Sequence, residues 1–259
     1  MQLQLKIMNQ GSGGKAPRFL VERFAKLTEN LSIYLNKNFL QKKRFPNSFP
    51  FKTKEEFFTY FHQQLMDFYL RGTDSSKITH RQYSARSIAG ILRGINKDDL
   101  KLLGELIITR LMNQTIKMLR NKNQSLKMLG LRISHYLQVL KNDVLTAEIM
   151  RCMSEESNKE VRKSAMSVIK LTEATFPEFI RRLRDVETSL RIHAFKKLIT
   201  EQVLLANMKL CNIYKIVYDG IGSREDDVKL KCLEFLRGNL YMYKSQQQRV
   251  SMLSTDKDP

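Results

Sequence analysis

The sequence predicts an all-α fold, a solenoid of stacked antiparallel helix pairs. Three observations lead to this prediction. Only five prolines and eleven glycines punctuate the 259 residues, so long stretches can remain helical. The apolar residues between them recur at the spacing of one helix face, and no stretch sustains the period-two alternation of a strand. A short residue pattern also recurs at the interval of a helix pair.

Apolar stripes at helical spacing follow one another along the chain. The first stripe ends at a loop that contains Pro46 and Pro50. Thr53 is placed to cap the next helix, with Glu55 and Glu56 in its first turn. The successive stripes are Phe19, Phe24, Leu27, Leu31 and Leu35; Phe57, Phe58, Phe61, Leu65, Phe68 and Tyr69; Leu100, Leu103, Leu106, Ile107 and Leu111; and Ile116, Leu119, Leu126, Leu129, Ile133 and Leu137.

The recurring pattern decides the architecture. An apolar or small residue is followed at once by a base, and a small residue stands three positions after the base. The instances lie 41, 35, 29 and 38 residues apart, in or near the range of paired-helix repeats, and each follows a polar turn. They are Ala85-Arg86 with Ala89, Leu126-Lys127 with Gly130, Val161-Arg162 with Ala165, Leu190-Arg191 with Ala194, and Val228-Lys229 with Cys232.

Packing gives a physical reason for this pattern. The polar turn residues cap the second helix of a pair, and the apolar residue is the first to face the neighbouring helix. The small residue lies where two helices cross closely and a larger side chain would separate them. Because one helix pair cannot bury its own apolar face, stacked pairs share a continuous core and present an extended surface. We therefore predict HEAT-type repeats that serve as a binding scaffold.

The charge of the chain favours a polyanionic partner. Lysine and arginine number 45 against 26 acidic residues, a formal charge of +19. Such an excess costs self-repulsion in the compact state and attracts anions. Nucleic acid is the first candidate and an anionic membrane surface the second, while a merely soluble basic surface is the alternative.

Cysteine usage and hydropathy restrict the class of protein. The three cysteines are odd in number and far apart, which favours a reducing compartment over a disulfide framework. The first residues lack the apolar core of a signal peptide, and no stretch approaches the roughly 20 apolar residues of a spanning helix. We expect a cytosolic or nuclear protein without membrane insertion.

The sequence offers no pattern typical of a catalytic or metal centre. The run 11–15 (GSGGK) only faintly resembles a phosphate loop, because no strand precedes it and Ala16-Pro17 stands where Ser or Thr is needed. No serine nucleophile elbow is present. We predict a non-enzymatic chain with no cofactor, no metal and no small-molecule substrate. Four histidines share no metal-ligand spacing with one another or with the cysteines: His62, His80, His135 and His193.

Bases cluster around the predicted inter-helix turns. Equivalent positions of successive repeats align on one face of a solenoid, so these bases can follow a phosphate backbone without reading its sequence. For Arg162 and Arg191, the alternative is an ion pair with an acidic turn residue of the next repeat. Aromatic residues do not interleave with the bases, which favours duplex over single-stranded nucleic acid. The candidate DNA-binding residues are Arg120, Lys122, Lys127, Arg162, Lys163, Arg181, Arg182, Arg184, Arg191, Lys196 and Lys197.

Three motifs follow one another in the second half of the chain: 158–165 (NKEVRKSA) followed by Phe176-Pro177; 184–186 (RDV) followed by Leu190-Arg191 and Ala194; and 220–224 (GIGSR) followed by 227–229 (DVK). Through these motifs, residues 158–244 resemble a known family, the condensin HEAT-repeat subunit called chromosome-associated protein G or condensin subunit 3. Residues 54–153 match it in helix pattern only, and residues 1–53 resemble no family that we can name.

The resemblance implies a role in mitotic chromosome condensation. Members of the family bind the kleisin subunit of condensin and, together with it, clamp double-stranded DNA in a basic groove. The ATPase activity belongs to the SMC (structural maintenance of chromosomes) subunits of the complex. We therefore expect a nuclear, chromosomal protein, present in the cytoplasm for part of the cell cycle. Members are much longer than 259 residues, so the resemblance implies that this chain is an N-terminal part or a truncated form.

These observations combine into one domain prediction and two rival functions. We predict a flexible lead-in over 1–16, a HEAT-repeat α-solenoid over 17–244 and a flexible polar tail over 245–259. The first rival is a HEAT- or armadillo-type protein-binding adaptor without direct DNA contact, and the second is a nucleotide-dependent enzyme. Charge reversal of Arg181, Arg182 and Arg184 distinguishes DNA binding from the adaptor.

Overall fold

The computed structural model describes residues 54–95 and 99–255, and these residues confirm the all-α prediction. Over those two ranges the chain forms ten α-helices joined by turns and short 3-10 segments, without a strand. The structure divides into two compact units, with the boundary between Ile149 and Met150. Each unit is a two-layered stack of helix pairs, as the repeat pattern predicts.

The described residues of the first unit form two complete helix pairs. α1 packs against α2 and α3 packs against α4. The second helices α2 and α4 contact each other, as do the first helices α1 and α3, so the pairs stack in register. α5 begins in this unit and crosses the boundary. The helices are α1 (Lys54–Thr73), α2 (Ile78–Gly94), α3 (Glu105–Leu119), α4 (Gln124–Leu137) and α5 (Asp143–Ser154).

The second unit repeats the arrangement. α8 lies between α6 and α10 in the layer of second helices, and α9 packs against both α7 and α10. A 3-10 turn at Arg182–Arg184 extends α7 and contacts α8. The helices are α6 (Lys159–Val168), α7 (Phe176–Arg181), α8 (Thr188–Thr200), α9 (Leu210–Ile221) and α10 (Asp226–Thr255).

Four of the five repeat instances occupy the predicted place. Their apolar residue is the third, their base the fourth and their small residue the seventh residue of a second helix. The four apolar residues are almost fully buried, as are the four small ones. These instances begin at Leu126 in α4, Val161 in α6, Leu190 in α8 and Val228 in α10.

The instance at Ala85 was wrong in register. α2 begins at Ile78, so Ala85 and Arg86 are its eighth and ninth residues, and Thr79 lies inside the helix that it was expected to precede. The equivalent third and fourth positions are His80 and Arg81. The seventh position is Ser84, which is fully buried. The match to the other repeats was concealed by His80, which is neither apolar nor small.

Close helix crossings explain the small seventh residues. A Cβ atom added to Gly220 of α9 would lie 2.3 Å from Sγ of Cys232 in α10 and 2.7 Å from the ring of Phe195 in α8. In the first unit, a Cβ on Gly130 would lie 3.0 Å from Cβ of Met118. The backbones therefore approach each other where the sequence predicted small side chains.

Asparagine caps set the start of two second helices. Oδ1 of Asn123 accepts a hydrogen bond from the N–H of Leu126 at 3.1 Å, which caps α4. Oδ1 of Asn158 accepts from the N–H groups of Glu160 at 2.8 Å and Val161 at 3.2 Å, which caps α6. Each cap satisfies N–H groups that the first turn of a helix leaves unpaired.

The structure differs from the predicted boundaries at the carboxyl side. α10 continues to Thr255, so residues 245–255 lie in a helix, where we expected a flexible tail. We predicted a single solenoid over 17–244, and the structure divides the described part of that range into two compact units. The predicted lead-in over 1–16 and the stripe from Phe19 to Leu35 lie outside the described residues.

Candidate polyanion-binding surface

The basic cluster of the first unit lies at the turn between α3 and α4. Nε and Nη2 of Arg120 contact Oε1 of Glu148 at 2.7 and 2.6 Å, although the arginine side chain is 60 % exposed. Lys122 is exposed in the turn and Lys127 is half-buried at the fourth position of α4. Glu148 thus neutralises one of the three candidate bases of this turn.

Arg162 connects one repeat to the next. Its Nε and Nη2 donate to the carboxylate of Asp185 at 3.1 and 2.9 Å, and its Nη1 donates to the carbonyl oxygens of Glu156 and Ser157 at 2.8 and 2.9 Å. The two side chains are 9 % and 2 % exposed. This ion pair is the alternative that the sequence left open for Arg162.

Arg191 makes the equivalent contact between repeats, one repeat later. Its Nη1 donates to the carbonyl oxygen of Asp185 at 2.6 Å, and its Nη2 pairs with Oε1 of Glu225 at 2.7 Å. Since Glu225 belongs to the turn before α10, the fourth residue of α8 again binds the following turn. Arg162 and Arg191 thus hold successive repeats together, which leaves them little freedom to contact phosphate.

Carboxylates hold all three arginines near the end of α7. Nη1 of Arg181 contacts Glu178 at 2.7 Å, and Nη1 of Arg182 lies 3.5 Å from Asp185. Nε of Arg184 donates to Asp219 at 2.5 Å. The cluster that looks most basic in the sequence is therefore largely neutralised by neighbouring acids.

The lysines of α6 and α8 have a different environment. Lys163 is half-buried on α6 and Lys196 is exposed on α8, and neither has an acidic partner in the part of the chain that the structure describes. Lys197 turns inward instead. Its Nζ donates to the carbonyl oxygens of Ser167 and Ile169 at 3.0 and 2.6 Å and pairs with Glu201 at 3.1 Å.

His193 lies between these lysines. Its Nε2 is 2.8 Å from Oγ of Ser167, so α8 and α6 are bridged at this point. Burial lowers the pKa of His193 below its usual value, and the charges of Lys163, Lys197 and Lys196 lower it further. Three lysine side chains therefore place positive charge around this histidine. We call Lys163, Ser167, His193 and Lys196 the α6–α8 surface.

Sequence reasoning missed part of this surface. Ser167 was not singled out, and His193 was considered only as a possible metal ligand, for which its spacing is wrong. The available signal was the register of the second helices, because Arg86, Arg132, Ser167 and Lys196 are each the ninth residue of such a helix. Arg132 is exposed and, within the described ranges, has no acidic partner.

An exposed apolar face lies on α9. Leu210, Tyr214 and Tyr218 are 80 %, 65 % and 58 % exposed. The two tyrosine rings stack with centroids 5.6 Å apart, and the guanidinium of Arg184 lies 5.7 Å above the ring of Tyr218. Here an aromatic residue does meet a candidate base, contrary to the expectation from the sequence.

An open apolar groove lies between the segment that connects α8 to α9, α9 itself and the middle of α10. Its lining residues are mainly aliphatic: Leu204, Leu205, Ala206, Ile213, Leu236, Leu240 and Met242, together with Asn239. Such a groove suits a protein segment better than a nucleic-acid backbone. The second unit thus offers separate surfaces for a polyanion and for an apolar partner.

Metal-ligand clusters and membrane-spanning helices are both absent from the described part of the chain. Histidine, cysteine and acidic side chains do not gather there in any group of three that could hold a metal ion. Among the same residues, no helix combines the length and hydropathy needed to cross a membrane.

Comparisons with known proteins support the fold. No protein-family model and no curated protein matches the sequence. Among solved structures, the chain is similar to one in the S. pombe condensin Cnd3–Cnd2 subcomplex, with a TM-score of 0.59 and 16 % identity. The match covers 89 % of this chain and 32 % of that one, so the chain spans about a third of its neighbour's length. An engineered protein matches with a TM-score of 0.49 and 12 % identity over 91 % of this chain and 96 % of its own.

Proposed function

We propose that this chain is a non-enzymatic subunit of a condensin-type complex that binds double-stranded DNA without sequence specificity. It acts together with a kleisin partner and supports mitotic chromosome condensation. Its connection to SMC subunits runs through the complex, and it works on chromosomes in the nucleus. Two features support the proposal: the helical-repeat fold similar to a condensin subcomplex, and the charge of +19.

The α6–α8 surface is the single observation that carries the DNA-binding part of the proposal. Lys163 and Lys196 remain available for phosphate, whereas carboxylates hold most of the other candidate bases in the second unit. Lysines that contact only phosphate hold a duplex without reading base edges, so binding of this kind is independent of sequence. Of the eleven candidates, Lys122, Lys163 and Lys196 carry the direct contacts in this proposal.

The salt dependence of duplex binding tests the proposal. Fluorescence anisotropy is measured on two unrelated duplexes of equal length between about 50 and 200 mM salt. Counterion release predicts equal affinities and a logarithmic slope of about −0.9 for every phosphate neutralised. A flat salt response, or a strong preference for one duplex, would contradict the proposal.

The groove and the exposed face of α9 favour a second candidate, a protein-binding adaptor that does not contact DNA. Its apolar partner would be a kleisin segment or another peptide. A pull-down with the organism's kleisin, with and without added duplex, separates the candidates. Capture of kleisin by a protein that retains no duplex affinity at any salt concentration would favour the adaptor.

A further inference from the structure

Ser167 connects His193 to α6. Its Oγ donates to the carbonyl oxygen of Lys163 at 2.9 Å. The same Oγ lies 2.8 Å from Nε2 of His193. When neutral His193 takes up a second proton, both ring nitrogens become donors, so Nε2–H donates to Oγ of Ser167 and Nδ1–H remains for another acceptor.

The charged groups around His193 oppose that second proton in the free protein. Lys163 faces the ring from α6, and Lys196 and Lys197 face it from α8. Two other elements pack against α8, and each has cations that are paired with carboxylates. In the 3-10 turn, Arg182 pairs with Asp185 and Arg184 with Asp219. In α10, Lys231 pairs with Glu234. Among the described residues, these pairs do not add to the field that lowers the pKa of His193.

A bound phosphate reverses this field. Its negative charge offsets the positive charges of Lys163 and Lys196 and attracts a proton to the imidazole. The charged form of His193 then becomes the favoured one. An imidazolium donates Nε2–H to Ser167 and offers Nδ1–H to the anion. The two lysines, which lie on different helices, supply the remaining charge.

We infer that the α6–α8 surface is a phosphate-binding subsite in which His193 binds as an imidazolium, so that duplex binding takes up one proton. This inference rests on the proposed function, since it assigns part of the DNA contact to a particular side chain. Its ligand chemistry is the phosphodiester of a nucleic-acid backbone. Because phosphodiesters stay ionised throughout the pH range of interest, a change in proton number belongs to the protein.

The sign of the pH dependence follows from linkage. Above the pKa that His193 has in the complex, the histidine is neutral in both the free and the DNA-bound protein, and pH has no effect on duplex affinity. Below the pKa of the free protein it is charged in both states. Between the two values, affinity increases as pH falls, by at most about tenfold per pH unit for one proton.

Isothermal titration calorimetry measures the proton directly. A duplex is titrated into the full chain at constant salt and pH 6.5, in two buffers with different ionisation enthalpies. The difference in apparent binding enthalpy gives the number of protons taken up. We expect an uptake approaching one proton for the wild type, and no uptake for His193→Gln, whose amide can still donate to Ser167. His135→Gln, at an exposed position on α4, is the matched control and keeps the uptake.

The outcomes separate this inference from the proposed function. Duplex binding without proton uptake, or with uptake that His193→Gln leaves unchanged, overturns the inference and leaves DNA binding intact. If the duplex does not bind at all, the proposed function fails. In that case the phosphate-binding subsite is tested separately, by titration with long-chain polyphosphate. Proton uptake that depends on His193 supports the subsite, and no such uptake refutes it.

Discussion

Removal of one partner from the buried ion pair between Arg162 and Asp185 should strongly destabilise the second unit. Asp185 lies in the turn before α8, and its side chain is only 2 % exposed. Its carboxylate accepts from Nε and Nη2 of Arg162 and from the backbone N–H of Glu187 at 3.1 Å. Asp185→Ala removes these acceptors and leaves a buried guanidinium with two unpaired donors.

The expected cost of Asp185→Ala follows from this geometry. Removing one partner of a buried pair costs about 3–5 kcal/mol, because the other charge stays buried without compensation. Arg162 keeps its bonds to Glu156 and Ser157, so we expect about 3 kcal/mol, at the lower end. Removing both charges with Arg162→Met and Asp185→Ala should restore a large part of that loss, since no uncompensated charge then remains.

Urea unfolding followed by circular dichroism at 222 nm measures these differences. Glu234→Gln serves as the control, because it breaks an exposed pair with Lys231 and should cost less than about 1 kcal/mol. A cost of less than 1 kcal/mol for Asp185→Ala would refute the reasoning, and so would a double variant whose loss equals the sum of the two single losses.

Three further predictions follow from single contacts. Burial favours the neutral form of Asp185, but hydrogen bonds from Arg162 and from the N–H of Glu187 outweigh it and lower its pKa. The resulting stability is fully present above the unfolded-state pKa of about 3.9 and is lost as pH falls through the lower pKa of the folded protein. The melting temperature should therefore fall on acidification below about pH 4. The fall should be smaller in Asp185→Ala, which lacks this carboxylate. Gly220→Ala should lower the free energy of unfolding by about 1–3 kcal/mol, because the added Cβ would overlap Cys232. The control is Gly238→Ala, whose Cβ would have no atom within 4 Å and which should be neutral or stabilising in thermal melts. Asn158→Ala should cost about 1 kcal/mol in urea unfolding through loss of its cap, and an unchanged midpoint would contradict that role.

Much of the fold could be predicted from the sequence because packing imposes a local periodicity. Val161, Leu190 and Val228 recur in register because each is the first buried residue of a second helix. The match failed in α2, where His80 occupies that position and the N-cap residue Lys77 makes no side-chain cap. The helix beyond Lys244 was also missed, since its polar composition suggested a tail.

The candidate site was less accessible to sequence reasoning. Bases are visible in a sequence, but their partners come from distant positions, as Asp219 does for Arg184, 35 residues away. Which base remains available to an anion is therefore a tertiary property. His193 and Ser167 likewise acquire their importance only because α8 packs against α6.

One comparison of variants tests the central claim, that the α6–α8 surface carries the DNA contact of the second unit. The double variant Lys163→Gln/Lys196→Gln is compared with Arg181→Gln/Arg184→Gln, which removes the same charge from arginines held by carboxylates. Duplex affinity is measured by anisotropy across a salt series, after circular dichroism has confirmed the fold. The lysine variant should lose at least tenfold in affinity and about two units of salt slope, while the arginine variant changes little. The reverse order, or equal losses in both variants, would contradict the account.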